Sequence, residues 1–220
     1  MVDEMGSSLD LIPPEEEAFP QGELDRTQRR RWILQHAPKG GICAEFGVFR
    51  GHFAEVIADE LKPKVFHLVD EWTKSGELFN WGSDPYTNFN KLTTRQAMYD
   101  ACRRMKRFEG ISQIVFSEMR CEAFCEEYEA SGKPKLDFIY IDTTHTYADT
   151  LAQLRKGATI LQERGVIAGD DWTIDPTHSR YGLMRAVHEF MAEANFELVA
   201  AGPDAQFCLR RAFPFDPSAF

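Results

Sequence analysis

The chain has 220 residues, of which 43% are hydrophobic and 27% are charged, and its formal net charge at pH 7 is -10. These values fit one globular domain, because a single hydrophobic core grows to roughly 250 residues before chains divide. Nucleic acid and anionic membranes bind to concentrated basic surfaces, which this acidic balance disfavours. We therefore expect neither of them as a partner.

Cysteine usage and hydropathy indicate the compartment. No apolar stretch reaches the roughly 20 residues that span a bilayer, and the chain opens with acids rather than with a basic segment followed by an apolar one. The five cysteines are scattered and form no CxxC pair, which disfavours a disulfide framework and a zinc site. We expect a cytoplasmic protein with reduced thiols.

The N-terminal segment differs in composition from the rest of the chain. Residues 1–21 are rich in acids, proline and glycine, which predicts a flexible acidic arm ahead of a single domain over residues 22–220. Residues 23–37 have helical composition and end before a proline. Their run Arg29, Arg30 and Arg31 is typical of a solvated helix face, and a binding patch is the alternative.

From residue 42 onward, short apolar runs alternate with longer segments that carry apolar residues at helical spacing. This alternation predicts an α/β fold, a Rossmann-like doubly wound and mostly parallel sheet of seven strands. The two last apolar runs flank Gly-Pro-Asp-Ala and predict an antiparallel C-terminal hairpin at one sheet edge. The predicted strands are 42–48, 65–69, 111–116, 138–141, 166–168, 196–200 and 207–210, and the predicted helices include 52–61, 92–108, 147–161 and 183–194.

The first predicted strand runs into a turn that contains Glu45, Gly47 and Gly51 and leads directly into a helix. The glycines allow the backbone to approach a ligand closely. Their spacing differs from the GxGxxG dinucleotide fingerprint, and Glu45 suits a cationic ligand group rather than a phosphate. Asp70 ends the next strand about 20 residues further on, where an acid accepts hydrogen bonds from ribose hydroxyls. An ordinary strand-to-helix connection is the alternative.

Three carboxylates follow two later strands: Asp142 after the fourth, and Asp170 and Asp171 after the fifth. The carboxyl ends of adjacent parallel strands meet at one edge, so these acids should converge, and a hard divalent cation such as Mg²⁺ offsets their repulsion. The pattern therefore predicts a metal site on these three residues. Alternatively, Asp170 and Asp171 cap the next helix or pair with Arg180 or Arg185.

Four segments in this order, GICAEFGVFRGHFAEVIADEL, HLVDEW, LDFIYIDTTHTYADTLAQL and RGVIAGDDW, resemble class I S-adenosylmethionine-dependent methyltransferases. The likeness is greatest to the macrocin and mycinamicin sugar O-methyltransferases and runs from about residue 40 to the C-terminus. It implies a set of cofactor contacts. Glu45, Gly47 and Gly51 would line the methionine end, Asp70 would hold the ribose, Met119 and Arg120 would lie near the adenine, and Asp142 is a further predicted contact.

The resemblance extends to the metal-dependent O-methyltransferases of the catechol type, whose metal ligands fall at matching positions. It implies His145, three residues after Asp142, as the general base that removes the acceptor proton, with Asp142 as the second predicted catalytic residue. The chain reads IDTTHTY where the family commonly reads IDGDHSY. The alternatives are a histidine that bonds its own turn and a base at His178.

The implied activity is transfer of a methyl group to a hydroxyl of a small molecule: a sugar diol, a catechol-like compound or another natural product. The acceptor loops predicted from the sequence are residues 72–90, which contain Trp72, Phe79, Trp81, Tyr86 and Phe89, and residues 172–181. A small additional core under a long connection is the alternative for these aromatic residues.

Two other classes of function compete with this one. A nucleotide-dependent oxidoreductase on the same fold is disfavoured, because GxGxxG and a Tyr-x-x-x-Lys pair are absent from the sequence. A noncatalytic cofactor-binding protein is disfavoured because binding alone needs neither the three carboxylates nor the histidine. The sequence leaves open whether the chain forms a homodimer.

Overall fold

A computed structural model describes residues 21–72, 79, 87 and 91–213. The predicted acidic arm falls on residues outside this part, except that Gln21 already begins the first helix. The strands are β1 (Ile42–Phe46), β2 (Val65–Asp70), β3 (Gln113–Glu118), β4 (Leu136–Ile141), β5 (Leu161–Gly169), β6 (Phe196–Gly202) and β7 (Gln206–Arg211). The α-helices are α1 (Gln21–Arg29), α2 (His52–Leu61), α3 (Thr94–Met105), α4 (Cys121–Ala130), α5 (Tyr147–Ile160) and α6 (Tyr181–Ala194).

The seven strands form one sheet in the order β3-β2-β1-β4-β5-β7-β6. The first five in this order are parallel, whereas β7 runs antiparallel to both β5 and β6. The predicted fold and its C-terminal hairpin are therefore confirmed. The strand order reverses between β1 and β4, and in open parallel sheets such a reversal leaves a crevice at the carboxyl ends of the strands.

Several elements differ from the predictions. Strand β1 ends two residues before its predicted end, and β3 begins two residues after its predicted start, because Ile111 is exposed. Strand β5 begins at Leu161, five residues before the predicted start, because residues 162–164 are polar and exposed and hide the apolar pattern. Helix α4 was not predicted. Its buried residues Cys121, Phe124, Cys125 and Tyr128 nevertheless have the spacing of one helical face.

Apolar side chains cover both faces of the sheet, as parallel sheets require. On one face, α2, α3 and the 3₁₀ helix Arg30–His36 pack on the sheet, and α4, α5 and α6 pack on the other. None of the helices in the described ranges has the length and apolar composition of a membrane span.

His67, in the middle of β2, gives the fold a pH dependence. Its ring packs against Phe124 and Tyr128, with ring centroids 5.4 Å and 5.3 Å away. Burial, with a smaller effect of Lys133, lowers the pKa of His67 from 6.5 to about 4. Between these values the unfolded chain takes up a proton that the folded chain refuses, so stability falls as the pH falls through this window.

We expect His67 to cost about 1 to 2 kcal/mol of unfolding free energy between pH 7 and pH 5. Urea unfolding of the wild type and of His67→Leu at both pH values measures this cost, because the variant lacks the titrating group. The wild type should lose more stability than the variant by that amount. Equal losses in the two proteins would show that the pKa of His67 is the same in the folded and the unfolded chain.

Candidate active site

The loop between β1 and α2 depends on two glycines with positive φ. Gly47 has φ 84°, and a Cβ atom there would overlap the carbonyl oxygen of Asp142 at the end of β4. Gly51 has φ 78°, and a Cβ atom there would lie 2.9 Å from the Cα atom of Ala101 in α3. Both predicted glycines are therefore places where the loop backbone packs directly on a neighbouring element.

Asp70 holds the same loop from the end of β2. Its Oδ2 accepts hydrogen bonds from the backbone N–H groups of Val48 (2.8 Å) and Phe49 (2.9 Å), and its Oδ1 accepts one from Trp72 (3.1 Å). Burial raises the pKa of Asp70, and these backbone hydrogen bonds oppose the rise. A fourth backbone hydrogen bond, from Glu71, also lowers the pKa of Asp70. A carboxylate has about four acceptor positions, so a ligand hydroxyl would share an oxygen with one of these donors.

Glu45 is the most isolated acid at this edge of the sheet. Its side chain is 2% exposed, and its Oε2 is buried without a hydrogen-bond partner among the residues the structure describes. Burial, followed by the neighbouring Asp142 carboxylate, raises the pKa of Glu45 well above its ordinary value. A cationic ligand group would supply the missing donor to Oε2 and would favour the charged form of this acid, so the unpaired oxygen fits the ligand type that the sequence predicted.

Two arginines from the N-terminal segment contact the carboxylates after β4 and β5. Arg30 lies in the 3₁₀ helix that follows α1 and is 5% exposed. Its guanidinium pairs with Asp142 (Nη1 to Oδ2, 2.9 Å) and, through Nη2, with Asp170. The Nη2 of Arg26, on α1, lies 2.9 Å from each carboxylate oxygen of Asp170.

The prediction of a solvated arginine face was thus wrong for Arg30. Residues 26 and 30 are one helical turn apart and point at the sheet edge, so both reach the carboxylates. Arg29 and Arg31 point elsewhere, remain about half exposed and pair with Asp204 and Glu60. The sequence analysis missed Arg26 altogether.

Asp170 has a further buried partner. The Nε2 of Gln206 in β7 donates to its Oδ1 at 2.5 Å, and the Oε1 of Gln206 accepts from the hydroxyl of Tyr140 at 2.6 Å. Burial and the Asp142 carboxylate raise the pKa of Asp170, while Arg30 opposes the rise. This chain of hydrogen bonds links the Asp170 carboxylate to β7 and β4, and Gln206 shares Oδ1 of Asp170 with Arg26.

The predicted metal ligands Asp142, Asp170 and Asp171 do not fit a divalent cation in this arrangement. Both oxygens of Asp170 accept from Arg26, and the guanidinium of Arg30 joins Asp142 to Asp170. In the described ranges, the acids and histidines close enough to share an ion are Asp142, His145 and Asp171, whose ligand atoms lie within 4.8 Å of one another. Asp171 is already paired with Arg180, as the alternative prediction had it.

His145 contacts the end of β5 rather than its own turn. Its Nε2 lies 2.8 Å from Oδ2 of Asp171 and 3.9 Å from Oδ1 of Asp142. Burial is the main reason that the pKa of His145 is lowered from 6.5. The reserve candidate His178 is exposed, and its Nδ1 accepts from the backbone N–H of Arg180 at 3.1 Å. The geometry therefore favours His145 over His178 as a base.

The remaining predicted cofactor contacts follow β3. The backbone N–H of Met119 donates to the carbonyl oxygen of Asp70 at 3.0 Å, which places Met119 beside the end of β2. Arg120 is exposed and lies 3.6 Å from Glu71 and from Glu122. The placement of the adenine near these two residues stays a prediction.

The aromatic residues of the predicted acceptor loop lie partly outside the described residues, namely Trp81, Tyr86 and Phe89. Trp72 is 2% exposed, and its Nε1 donates to the carbonyl oxygen of Phe49 at 2.9 Å. Phe79 packs edge-on against Phe49 with ring centroids 5.0 Å apart. Trp72 thus belongs to the core, as the alternative prediction had it. The second acceptor loop, 172–181, is mostly exposed, and its role stays a prediction.

Comparison with known proteins identifies the class to which this site belongs. The profile of a family described as a methyltransferase domain matches residues 44–172, from β1 to just beyond β5. The chain belongs to this family. The matched stretch contains the five parallel strands and the predicted residues from Glu45 to Asp171. No curated protein sequence matches this chain.

Solved structures support the same assignment. An O-methyltransferase from Bacillus cereus, in complex with S-adenosylhomocysteine, is 14% identical, with 87% of this chain and 81% of that chain covered and a TM-score of 0.57. TomG of Streptomyces achromogenes, an O-methyltransferase of tomaymycin synthesis in complex with S-adenosylmethionine, is 14% identical, with coverages of 86% and 79% and a TM-score of 0.54. An rRNA methylase from Streptococcus thermophilus is 12% identical, with coverages of 83% and 92% and a TM-score of 0.51.

At these identities the likeness shows the fold. Together with the family match, it confirms the resemblance to class I S-adenosylmethionine-dependent methyltransferases. The narrower likeness to the macrocin and mycinamicin type stays a prediction.

Gly47→Ala tests whether the loop after β1 forms the cofactor site. Gly110→Ala is a matched control, because Gly110 has the same φ of 84° and a Cβ atom there meets nothing within 4 Å in the described part of the chain. Both variants should lose about 1 to 2 kcal/mol of stability through the positive φ, and Gly47→Ala should lose more, because its Cβ atom would overlap the carbonyl oxygen of Asp142. Titration calorimetry should show at least about tenfold weaker S-adenosylhomocysteine binding for Gly47→Ala alone. Equal affinities for the two variants would place the cofactor elsewhere.

Proposed function

We propose that this methyltransferase transfers the methyl group of S-adenosylmethionine to a hydroxyl oxygen of a small molecule, with His145 as general base. The observation that carries the proposal is the pair formed by His145 and Asp171, beside the loop with Glu45 and Gly47. This pair brings a neutral imidazole to the carboxyl edge of the sheet, where family members bind their cofactor.

Two acids support the position of the cofactor. Glu45 has a buried oxygen without a partner among the described residues, and the ammonium group of S-adenosylmethionine would supply the missing donor and charge. Asp70 lies at the end of the neighbouring strand, where its carboxylate would accept a ribose hydroxyl alongside its backbone donors. In this placement the methionine end of the cofactor lies toward β1 and β4, and the ribose lies toward β2.

The contact with Asp171 supports the role of His145. A neutral imidazole that donates through Nε2–H to the carboxylate of Asp171 has Nδ1 as its free acceptor, so a proton from the acceptor hydroxyl would pass to Nδ1. The hydroxyl oxygen then forms a bond to the methyl carbon, while the bond from that carbon to sulfur breaks and its electron pair stays on sulfur. The products are the methylated acceptor, S-adenosylhomocysteine and protonated His145. Asp171 would orient the ring and stabilise its charged form.

A divalent cation is not used in this proposal. When bound, such an ion would acidify the acceptor hydroxyl and orient it. The residues that would hold it are Asp142, His145 and Asp171. Both Asp142 and Asp171 already pair with arginines.

The acceptor class follows from charge and from family resemblance. Some neighbours in fold are named as rRNA methylases, but a net charge of -10 opposes the approach of RNA. A small hydroxylated molecule, such as a sugar diol, a catechol-like compound or another natural product, suits this charge better.

The experiment begins with a screen of hydroxylated small molecules and methyl-labelled S-adenosylmethionine, with products read by mass spectrometry. With the best acceptor, His145→Gln should lower kcat by roughly 10² to 10⁴ and leave S-adenosylhomocysteine affinity nearly unchanged. His178→Gln is the matched control and should retain near-normal kcat. Because the pKa of His145 is lowered, the wild-type rate should fall on the acid side with a midpoint below 6.5.

Three results would contradict the proposal. A His145→Gln variant that keeps both kcat and the acid limb would place the base elsewhere. A labelled ribosomal RNA with no labelled small molecule would change the acceptor class. Binding of the cofactor without any labelled product, across small molecules and RNA, would favour the noncatalytic alternative.

A further inference from the structure

We propose that Arg30 supplies the positive charge that the sequence pattern assigns to a divalent cation, so that this carboxylate edge binds no metal and Arg30 positions Asp142 for the cofactor. The inference rests on the proposed function for the location of the cofactor, but not on the identity of the acceptor.

Arginines balance the negative charge of the aspartates at this edge. The three aspartates at the edge are matched by three arginines in direct contact: Arg30 with Asp142 and Asp170, Arg26 with Asp170, and Arg180 with Asp171. Neighbouring carboxylates need a counter-charge to remain ionised together. Here guanidinium groups provide it, one for each aspartate.

Arg30 and Asp170 are both buried. The side chain of Arg30 is 6% exposed, and that of Asp170 is 2% exposed. A guanidinium does not lose its proton in proteins, so Arg30 carries a permanent charge in a place from which water is nearly excluded. Its flat shape donates in parallel directions, which suits two carboxylates side by side better than a lysine ammonium would.

The segment that carries Arg30 has contacts of its own with the rest of the fold. Its 3₁₀ helix is held by the buried side chains of Ile33 and Leu34 and by a hydrogen bond from Nε1 of Trp32 to the carbonyl oxygen of Pro203 (3.1 Å). Arg29, beside it, pairs with Asp204 at 3.0 Å. The arginine is therefore held by packing on its own segment as well as by the carboxylates.

A cation at this edge would have to displace arginine side chains. An ion shared by Asp142 and Asp170 would have to replace the Arg30 guanidinium that joins them, and Arg26 would still occupy both oxygens of Asp170. The remaining combination of Asp142, His145 and Asp171 is already joined by the contact of His145 with Asp171 and by Arg180. Like-charge repulsion from the fixed arginines opposes an ion at either place.

The consequence for the cofactor runs through Asp142. Its carboxylate is held by Arg30, and its carbonyl oxygen lies against Gly47 in the loop after β1. If Arg30 is lost, the Asp142 carboxylate loses its buried partner beside Glu45, and the negative charge near the methionine end is no longer positioned. Cofactor affinity should then fall, and the edge should become open to cations once Arg26 is removed as well.

The test uses the full chain and two titrations by calorimetry: Mn²⁺ alone, and S-adenosylhomocysteine in buffer with EDTA or with Mg²⁺. The wild type should bind no Mn²⁺ with a Kd below about 100 µM, and its S-adenosylhomocysteine affinity should be the same in both buffers. Arg30→Gln should bind S-adenosylhomocysteine at least about tenfold more weakly. The double variant Arg26→Gln/Arg30→Gln, which also frees both oxygens of Asp170, should gain Mn²⁺ binding. Arg31→Gln, on the same segment, is the matched control and should behave like the wild type, because Arg31 is half exposed and pairs with Glu60 away from the edge.

Arg30→Lys keeps the charge without the planar group, and it should restore part of the S-adenosylhomocysteine affinity while binding no Mn²⁺. Should Arg30→Gln fail to fold, this variant and the wild type decide the question. Wild-type Mn²⁺ binding that disappears in Asp142→Asn would overturn the proposal, because Asp142 belongs to both possible ligand sets, and so would an Arg30→Gln variant with wild-type S-adenosylhomocysteine affinity. Failure of the proposed function gives a different result, namely a wild type that binds no S-adenosylhomocysteine.

Discussion

The ion pairs of Arg30 with Asp142 and Asp170 are the interaction on which the carboxyl edge of the sheet depends. Parallel pairing of β4 with β5 fixes the two aspartates next to each other, whatever their side chains carry. Their charges can stay buried together only with a buried counter-charge. Because that charge comes from the segment before β1, the site is complete only when this segment is docked on the sheet.

The same pairs connect the structural and the functional parts of the molecule. Asp170 accepts hydrogen bonds from Gln206 in the sheet, which is held in turn by Tyr140, and from arginines of the N-terminal segment. Asp142 lies against the glycine loop that forms the methionine end of the predicted cofactor site. We therefore expect a change at Arg30 to affect stability and cofactor binding together, which is why its test needs both readouts.

Strand and helix alternation predicted the fold because each element has a clear apolar period, and Glu45, Gly47, Asp70 and Asp142 were found because parallel strands deliver their last residues to one edge. The partners of the carboxylates were not found, since they come from distant parts of the chain. One signal was present: Arg30 has helical spacing to the buried residues Thr27, Ile33 and Leu34, which places it on the inner face of its segment. A run of three arginines, taken as a block of charge, conceals that spacing.

A double-mutant cycle on Arg30 and Asp170 tests this account most directly. The free energy of unfolding in urea is measured for the wild type, Arg30→Gln, Asp170→Asn and the double variant. If the pair is buried, the sum of the losses in the two single variants should exceed the loss in the double variant by about 1 to 3 kcal/mol. Each single change leaves a buried group without its partner, whereas the double change removes both groups. Losses that add to within about 0.5 kcal/mol would show that the two side chains do not interact, and would contradict an edge held together by arginine.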